Sequence, residues 1–397
     1  MHRGRRPVGA LALVVGLSIH LTTIAIWPKA TTAQIDMQIF RFGARQLLAG
    51  APIYDRGLSG SPTRLLFNYS PFAALLFAPL AAVPTRILQV LTPFGNLLLL
   101  ALVADRCWRS VGVNDRSDRT TLVMAATGSL LWLEPVRTTL LLGQVGLLLM
   151  AIIVWDVLPR TGERRWQGVG IGIAAGVKLT PLLFIPYLLI VLKTRAAVVA
   201  ATTFLFSVLI GFAVAPRQSW RYWFEGTFGD LHRIAAVAYV GNASIRGALA
   251  RLGLGPGPWI ALAAVVVAAS LIVAAWADRN GEPLLGLTLV GMASTAASPY
   301  SWAYHWVWFV PLTIWLAQRA FATRSRTATI ALVALLLATL SWPSNWPSPT
   351  SGRMTRIGLT AIPTTGWPRQ LVPNLYLTIF AITLVSTAFW LQRSTRR

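Results

Sequence analysis

"VGALALVVGLSIHLTTIAIWPKATTAQIDMQIFRFGARQLLAGAPIYD" (residues 8–55) passes from one kind of helix to another within a few residues. Residues 8–27 contain no Asp, Glu, Lys or Arg. A run of that length is enough to cross a hydrocarbon layer of about 30 Å at about 1.5 Å of rise per residue. The preceding "RGRRP" anchors the N-terminal end in the cytoplasm by the positive-inside rule. In residues 34–50 the pattern changes. Ile35, Ile39, Phe40, Phe42 and Leu47 alternate with Asp36, Arg41, Arg45 and Gln46, which suits an amphipathic helix lying in the interface rather than crossing it. A membrane span followed by a surface helix places Asp36 immediately outside the bilayer. The same run could imitate a secretory signal cut at "ATTA" before Gln34, but an apolar region of about 20 residues is long for that, so an uncleaved first span is expected.

The rest of the chain repeats this grammar. Of 397 residues, 55% are hydrophobic and 12% charged, and the mean hydropathy is +0.61. A soluble core cannot hide so much apolar surface behind so few charges. No long polar domain interrupts the apolar runs, so residues 1–397 are expected to form a single polytopic membrane domain. The net charge of +23 is spread over many loops instead of being gathered into a stripe, which excludes a nucleic-acid interface and fits cytoplasmic anchoring plus anionic lipid or phosphate ligands. A single cysteine, Cys107, excludes an internal disulfide.

Short basic loops at 1–7, 105–119, 159–167, 193–195 and 319–327, with the tail "QRSTRR", are assigned to the cytoplasm. Alternation puts 28–65, 134–144, 216–257, 298–304 and 343–373 outside, and parity closes with both termini inside if 168–192 folds as a two-helix hairpin. The expected architecture is all-α, with about twelve transmembrane helices plus interfacial and re-entrant helices at the outer face. The proline-flanked segment 68–84 is expected to be re-entrant or superficial, because a full crossing there would put the basic loop 105–119 outside.

Candidate chemistry gathers at the outer ends of spans. Asp36 begins the interfacial helix, where an acid can simply complement the helix dipole or act as a base. His305 in "SPYSWAYHWVWF" is boxed in by Trp302, Tyr304, Trp306 and Trp308, as a packed interface histidine or a ligand would be. Lys178 in "GVKLTPLLFIPY" lies deep in an apolar run, where a cation costs several kcal/mol unless it snorkels or meets an anion. Gln144 and the Glu134/Arg137 pair complete the rim, and the last two could bond to each other. No His/Cys/Asp cluster has metal-ligand spacing, and no glycine-rich phosphate loop follows a strand. The loops 216–257 and 343–373 are dense in aromatics, among them Trp220, Tyr222, Trp223, Tyr239, Trp342, Trp346 and Trp367; they form an interfacial belt or stacking surfaces for sugars.

Six stretches in order, "IDMQIFRFGARQLLAGAPIYD", "FNYSPFAALLFAPL", "LLLGQVGLLL", "GVKLTPLLFIPYLL", "NASIRGALAR" and "SPYSWAYHWVW", resemble glycosyltransferase family 87 over roughly residues 30–310. That family contains polyprenol-phosphate-mannose-dependent α-1,2-mannosyltransferases. The resemblance implies a GT-C type helical enzyme in the plasma membrane with its active site on the extracytoplasmic side. It implies Asp36 as catalytic base and His305 as a second catalytic residue. Lys178, Arg246, Asn242, Gln144, Tyr69 and Tyr54 would then hold the donor's phosphate and sugar, and Glu134, Arg137, Trp302 and Tyr300 would meet the acceptor or a sugar. The donor would be polyprenyl-phosphate mannose and the acceptor a glycolipid or cell-wall glycan such as a phosphatidylinositol mannoside or lipomannan, with no metal and no other cofactor. Three departures from the family pattern, Ser70 for a proline, Ala243 for a glutamine, and Ala303 with Tyr304 before the histidine, bear on acceptor and sugar choice. A polyprenyl-phosphate arabinose donor is the alternative within the same fold. A lipid-saccharide transporter would need internal repeats and a polar path through mid-membrane, neither of which the sequence contains.

Overall fold

The computed structural model describes residues 6–26, 32–60, 65–158, 165–341 and 371–394. The basic N-terminus and tail, most of the loop 159–167, and Trp342, Trp346 and Trp367 with most of the second aromatic loop lie outside the described residues. Among the described residues there is no strand, only an isolated bridge between Leu133 and Leu340.

Helix α1 (Arg6–Ile26) is followed by the amphipathic helix α2 (Ile35–Leu48) and two short helices, α3 (Pro71–Leu76) and α4 (Ala78–Ala82). Then come α5 (Thr85–Ser110), α6 (Arg116–Leu130), α7 (Glu134–Leu142), α8 (Gly146–Val157), α9 (Val169–Val177) and α10 (Phe184–Ile190). Helix α11 (Thr194–Val214), the short α12 (Pro216–Trp223) and α13 (Ile245–Arg251), and the paired α14 (Pro256–Arg279) and α15 (Pro283–Ala297) follow. Helices α16 (Phe309–Ala322), α17 (Arg326–Thr339) and α18 (Leu375–Ser394) complete the bundle. Five of these, α1, α5, α11, α14 and α18, are long and apolar enough to cross a membrane, and α7 with α8, bent by 119°, would make six. The expected count of about twelve is therefore not reached by length and apolarity alone. The physical reason is visible in α15: every residue from Leu284 to Ala296 is buried, so this helix of 15 residues is central core rather than a lipid-facing rod. The segment 68–84 forms only the short α3 and α4, neither long enough to cross.

The segment after residue 168 is a hairpin. Gly168 abuts Ala196 and Ala200, Gly172 abuts Ala200 and Thr203, and Gly176 abuts Ser207, so α9 runs parallel to α11. The chain must then return along a 3-10 turn (Thr180–Leu183) and α10 to begin α11 at Thr194. The base of the hairpin is tied by Asp156, whose carboxylate accepts from the Gly168 and Ile171 N–H groups at 2.9–3.0 Å and so satisfies the start of α9. Its apex is held by Ser70, which donates to the Gly176 carbonyl at 2.5 Å while accepting from the Ala73 N–H at 3.1 Å as the cap of α3. Helix α2 is latched nearby. Arg41 on α2 donates to the Leu80 and Val83 carbonyls and to Thr85 at 2.7–3.0 Å, satisfying carbonyl groups at the end of α4. On the buried side of α2, Phe40 stacks on Phe77 and meets Tyr69 edge-on.

Helices α1 and α6 approach at backbone contact. A Cβ on Gly16 would lie 2.3 Å from the Gly128 carbonyl oxygen, and one on Gly128 would lie 2.2 Å from that of Ala12. Small residues let apolar helices pack by dispersion where lipid removes the hydrophobic advantage. Gly128→Leu is expected to pry the two helices apart and destabilise the fold by about 1–3 kcal/mol. Thermal unfolding in detergent should show a lower Tm, whereas Gly95→Ala, on α5 with open space around it, should leave the Tm unchanged or raise it slightly.

Candidate active site

A cavity of about 1540 Å³ opens where α2, the α7–α8 bend, the hairpin apex and the turn Ala303–Trp308 converge. Asp36 enters it from the first turn of α2. The residue before that helix, Gln34, has φ 42° and ψ 54°, a left-handed conformation uncommon for a residue with a side chain. Across from it Gly143 ends α7 with φ 69°. A Cβ on Gly143 would lie 2.6 Å from the Cβ of Met37 and 3.2 Å from that of Gln34, so the α7–α8 bend sits directly on the start of α2. That contact delivers Gln144. Its Nε2 donates to the Asp36 carboxylate at 2.7 Å, and its Oε1 accepts from the Tyr69 hydroxyl at 3.4 Å. Burial pushes the Asp36 carboxyl up to about 6, against the opposing pull of the Gln144 hydrogen bond. A half-buried carboxylate in this range is ionised at neutral pH and still basic enough to take a proton.

Lys178 and His305 line the same cavity as the carboxylate and bond to each other. Lys178 follows α9 in extended conformation at the hairpin apex and bonds through Nζ to Nε2 of His305. The histidine is fixed from behind: its Nδ1 accepts from the Trp302 N–H at 3.0 Å and lies 3.4 Å from the Ser301 hydroxyl. Tyr304 packs edge-on against the imidazole, with ring centroids 4.5 Å apart.

Asp36, His305, Lys178, Gln144, Tyr69, Glu134, Trp302 and Tyr300 all line this one cavity. Tyr54, Asn242, Arg246 and Arg137 are not among its lining residues. Tyr54 is fully buried beneath it and donates to the Tyr69 carbonyl at 2.9 Å. Asn242 is a buried latch: its Oδ1 accepts from the Ser301 N–H at 3.0 Å and from the Ser244 hydroxyl at 2.8 Å, which ties the first aromatic loop to the segment leading to His305. Arg246 lies over the Trp259 ring, 5.8 Å from its centroid. Glu134 accepts from the Tyr376 hydroxyl, while Arg137 donates to His20 at 3.2 Å and covers Trp132.

Arg233, not singled out from the sequence, also reaches the wall; it donates to the Tyr54 carbonyl at 2.7 Å and to Asn68 at 3.3 Å. Nothing local marks it, because it is one basic residue in a loop of a chain that has 35. Tyr222, Tyr239 and Trp302 turn from the outer aromatics into the cavity, whereas Trp220 stays exposed. The remaining wall is apolar, with Leu179, Leu182, Leu183 and Pro186 on the hairpin and Trp259 and Val267 on α14. Among the described residues no three His, Cys, Asp or Glu side chains cluster as a metal site. The arrangement brings a carboxylate, a lysine–histidine pair, an aromatic rim and an apolar lobe into one chamber.

The docking of Gly143 on α2 is open to test. Gly143→Ala forces a side chain into a left-handed conformation, at about 1–2 kcal/mol, and drives it against Met37. Gly50→Ala carries the same conformational strain at φ 65° with nothing nearby. The expected result in thermal unfolding is a clearly larger loss of Tm for Gly143→Ala, the difference being the packing of the α7–α8 bend on α2.

The chain is similar to known proteins of one family. The profile of glycosyltransferase family 87 matches residues 67–299. The chain is 33% identical over 351 residues to a polyprenol-phosphate-mannose-dependent alpha-(1-2)-phosphatidylinositol mannoside mannosyltransferase of Mycobacterium tuberculosis, covering 84% of this chain and 81% of the relative. A protein of the same name from Mycolicibacterium smegmatis is 32% identical over 334 residues, with 78% and 75% covered. A polyprenol-phosphate-mannose-dependent alpha-(1-2)-phosphatidylinositol pentamannoside mannosyltransferase of Mycobacterium tuberculosis is 32% identical over 321 residues, with 79% and 72% covered. No solved structure matches the chain. With the family profile spanning more than half of its length and these relatives covering most of the remainder, the chain belongs to glycosyltransferase family 87.

Proposed function

We propose that this protein transfers mannose from polyprenyl-phosphate mannose to a phosphatidylinositol mannoside-type glycolipid, forming an α-1,2 linkage with inversion at the extracytoplasmic face. The observation that carries the reading is the placement of Asp36, held by Gln144, in the same chamber as the Lys178–His305 pair. Inverting transfer needs a base on one side of the reacting carbon and charge stabilisation for the leaving group on the other. The acceptor hydroxyl gives its proton to Asp36 as its oxygen bonds to the sugar C1. The bond from C1 to the phosphate oxygen breaks, and its electron pair leaves with polyprenyl phosphate. Lys178 and His305 face the phosphate as its charge grows. The polyprenyl tail lies along the apolar lobe between the hairpin and α14, and Tyr239, Tyr300 and Trp302 receive sugar rings at the rim.

This reading places the protein in the plasma membrane as a GT-C type bundle with both termini in the cytoplasm. The short helices α6, α15, α16 and α17 and the hairpin complete about twelve passages of the bilayer, some of them partial. The inward-running α9 and the parallel α11 support a common cytoplasmic base for the hairpin. The names of the relatives support mannose as the sugar and a phosphatidylinositol mannoside as the acceptor.

The test is transfer of radiolabelled mannose from polyprenyl-phosphate mannose to phosphatidylinositol mannosides by membranes carrying the wild type or Asp36→Asn. The wild type is expected to yield an α-1,2-linked product, and Asp36→Asn at equal expression to lose about 10²–10⁴-fold in rate. Label from polyprenyl-phosphate arabinose alone would replace mannose in this reading, and transfer that survives Asp36→Asn would remove Asp36 as base. A base must be ionised, and Asp36 is raised to about 6, so the wild-type rate should fall as pH drops through about 6. The decline below that value should approach tenfold per pH unit, as a rate–pH profile at saturating donor would read directly.

A further inference from the structure

The hydrogen bonds around His305 leave no place for one of the protons usually drawn there. A neutral imidazole has one donor nitrogen and one acceptor nitrogen. Nδ1 is the acceptor, because the Trp302 backbone N–H, which can only donate, points to it at 3.0 Å. The proton of neutral His305 is therefore on Nε2. That same Nε2 is bonded to Lys178 Nζ, and an ammonium group has three donors and no acceptor. Nε2–H against an ammonium would set donor against donor. The bond exists only when Lys178 is an amine that accepts from Nε2–H.

The surroundings do not reverse this assignment. From α2, the Asp36 carboxylate favours a charged Lys178, but one of its oxygens is already engaged by Gln144. Tyr69 donates to Gln144, and Tyr304 presents a ring rather than a charge to the imidazole. Glu134 accepts from Tyr376, and Arg233 donates to Asn68 and the Tyr54 carbonyl. Among the described residues, the groups that couple electrostatically to the pair are Asp36 and the two partners themselves.

A phosphate diester changes the count. Its oxygens are acceptors only and can take hydrogen bonds from Nε2–H and from an ammonium at once. We infer that Lys178 and His305 share a single proton site before the donor binds and take up a second proton with the donor phosphate, so that donor binding is coupled to proton uptake. This rests on the reading of the cavity as the donor site. The acquired charge is then in place when the diester becomes a monoester, whose second ionisation near neutral pH adds negative charge. The amine form of the pair avoids the desolvation cost of a cation at the hairpin apex until the donor phosphate arrives.

Calorimetric titration of the full-length protein in nanodiscs with polyprenyl-phosphate mannose, acceptor omitted, tests the coupling. Run at one pH near 7.5 in two buffers of different ionisation enthalpy, it reads the number of protons exchanged. Uptake of about one proton is expected for the wild type and for Asp36→Asn, and uptake near zero for Lys178→Gln, whose amide oxygen accepts from Nε2–H but cannot titrate. Binding without uptake in the wild type overturns the inference and leaves the functional reading standing. Uptake that vanishes in Asp36→Asn also overturns it, by assigning the proton to Asp36. Absence of donor binding in the wild type overturns both. If Lys178→Gln fails to fold, steady-state kinetics of the wild type decide: the donor KM should rise by about tenfold per pH unit on the alkaline side while kcat stays level, and a pH-independent KM overturns the coupling.

Discussion

A break in helical backbone inside a membrane protein needs protein or water to receive the exposed peptide groups, and this requirement governs the apex of the hairpin at residues 176–180. Ser70 meets it from one side by donating to the Gly176 carbonyl, and the cavity meets it from the other by receiving Lys178. Once the apex is pinned to Ser70, the start of α3 is pinned as well, because the same hydroxyl caps that helix. Tyr69 is thereby held beside Gln144, and through Gln144 beside Asp36. A serine at this position can do both jobs, whereas proline could cap nothing with its side chain.

Two other joints have the same character. The left-handed Gln34 turns the chain sharply into α2, and the left-handed Gly143 turns it between α7 and α8; the two turns lie against each other. Neither helix end by itself would orient a carboxylate or an amide. Together they bring one to the other at hydrogen-bond distance. Asn242 connects a loop to the backbone just before His305, so the segment whose Trp302 N–H orients the imidazole is itself held by a residue that does not line the cavity. The site is assembled from loops and helix ends, and polar contacts tie these pieces to one another.

The charge distribution follows from this arrangement. The wall carries few ionisable groups in a mostly apolar chamber, so each acts over longer range than in water. The carboxylate and the lysine–histidine pair share that chamber. Of their neighbours, Arg233 and Tyr222 also line the wall, and both pack against Tyr54, which does not.

By itself the sequence determined the class of the protein. Apolar runs, scattered arginines and a shortage of acids require a helical membrane protein, because hydropathy and chain length act locally and are read without knowing any contact. The alternation over 34–50 predicted an amphipathic helix, which α2 is, and 68–84, read as re-entrant or superficial, forms the two short helices α3 and α4. Six motifs in order were enough to name the family and to pick out Asp36, Lys178, Gln144 and His305, which share a cavity although up to 269 positions separate them. Only the tertiary structure decided that Asn242 is a latch, that Tyr54 lies beneath the floor, that Arg246 sits on Trp259 and that Arg233 reaches the wall. Those outcomes depend on which helices touch. A residue's type constrains what it can bond to, but only packing chooses which of its eligible partners it meets, and short buried helices such as α15 leave no hydropathy signal that distinguishes a core rod from a membrane-facing one.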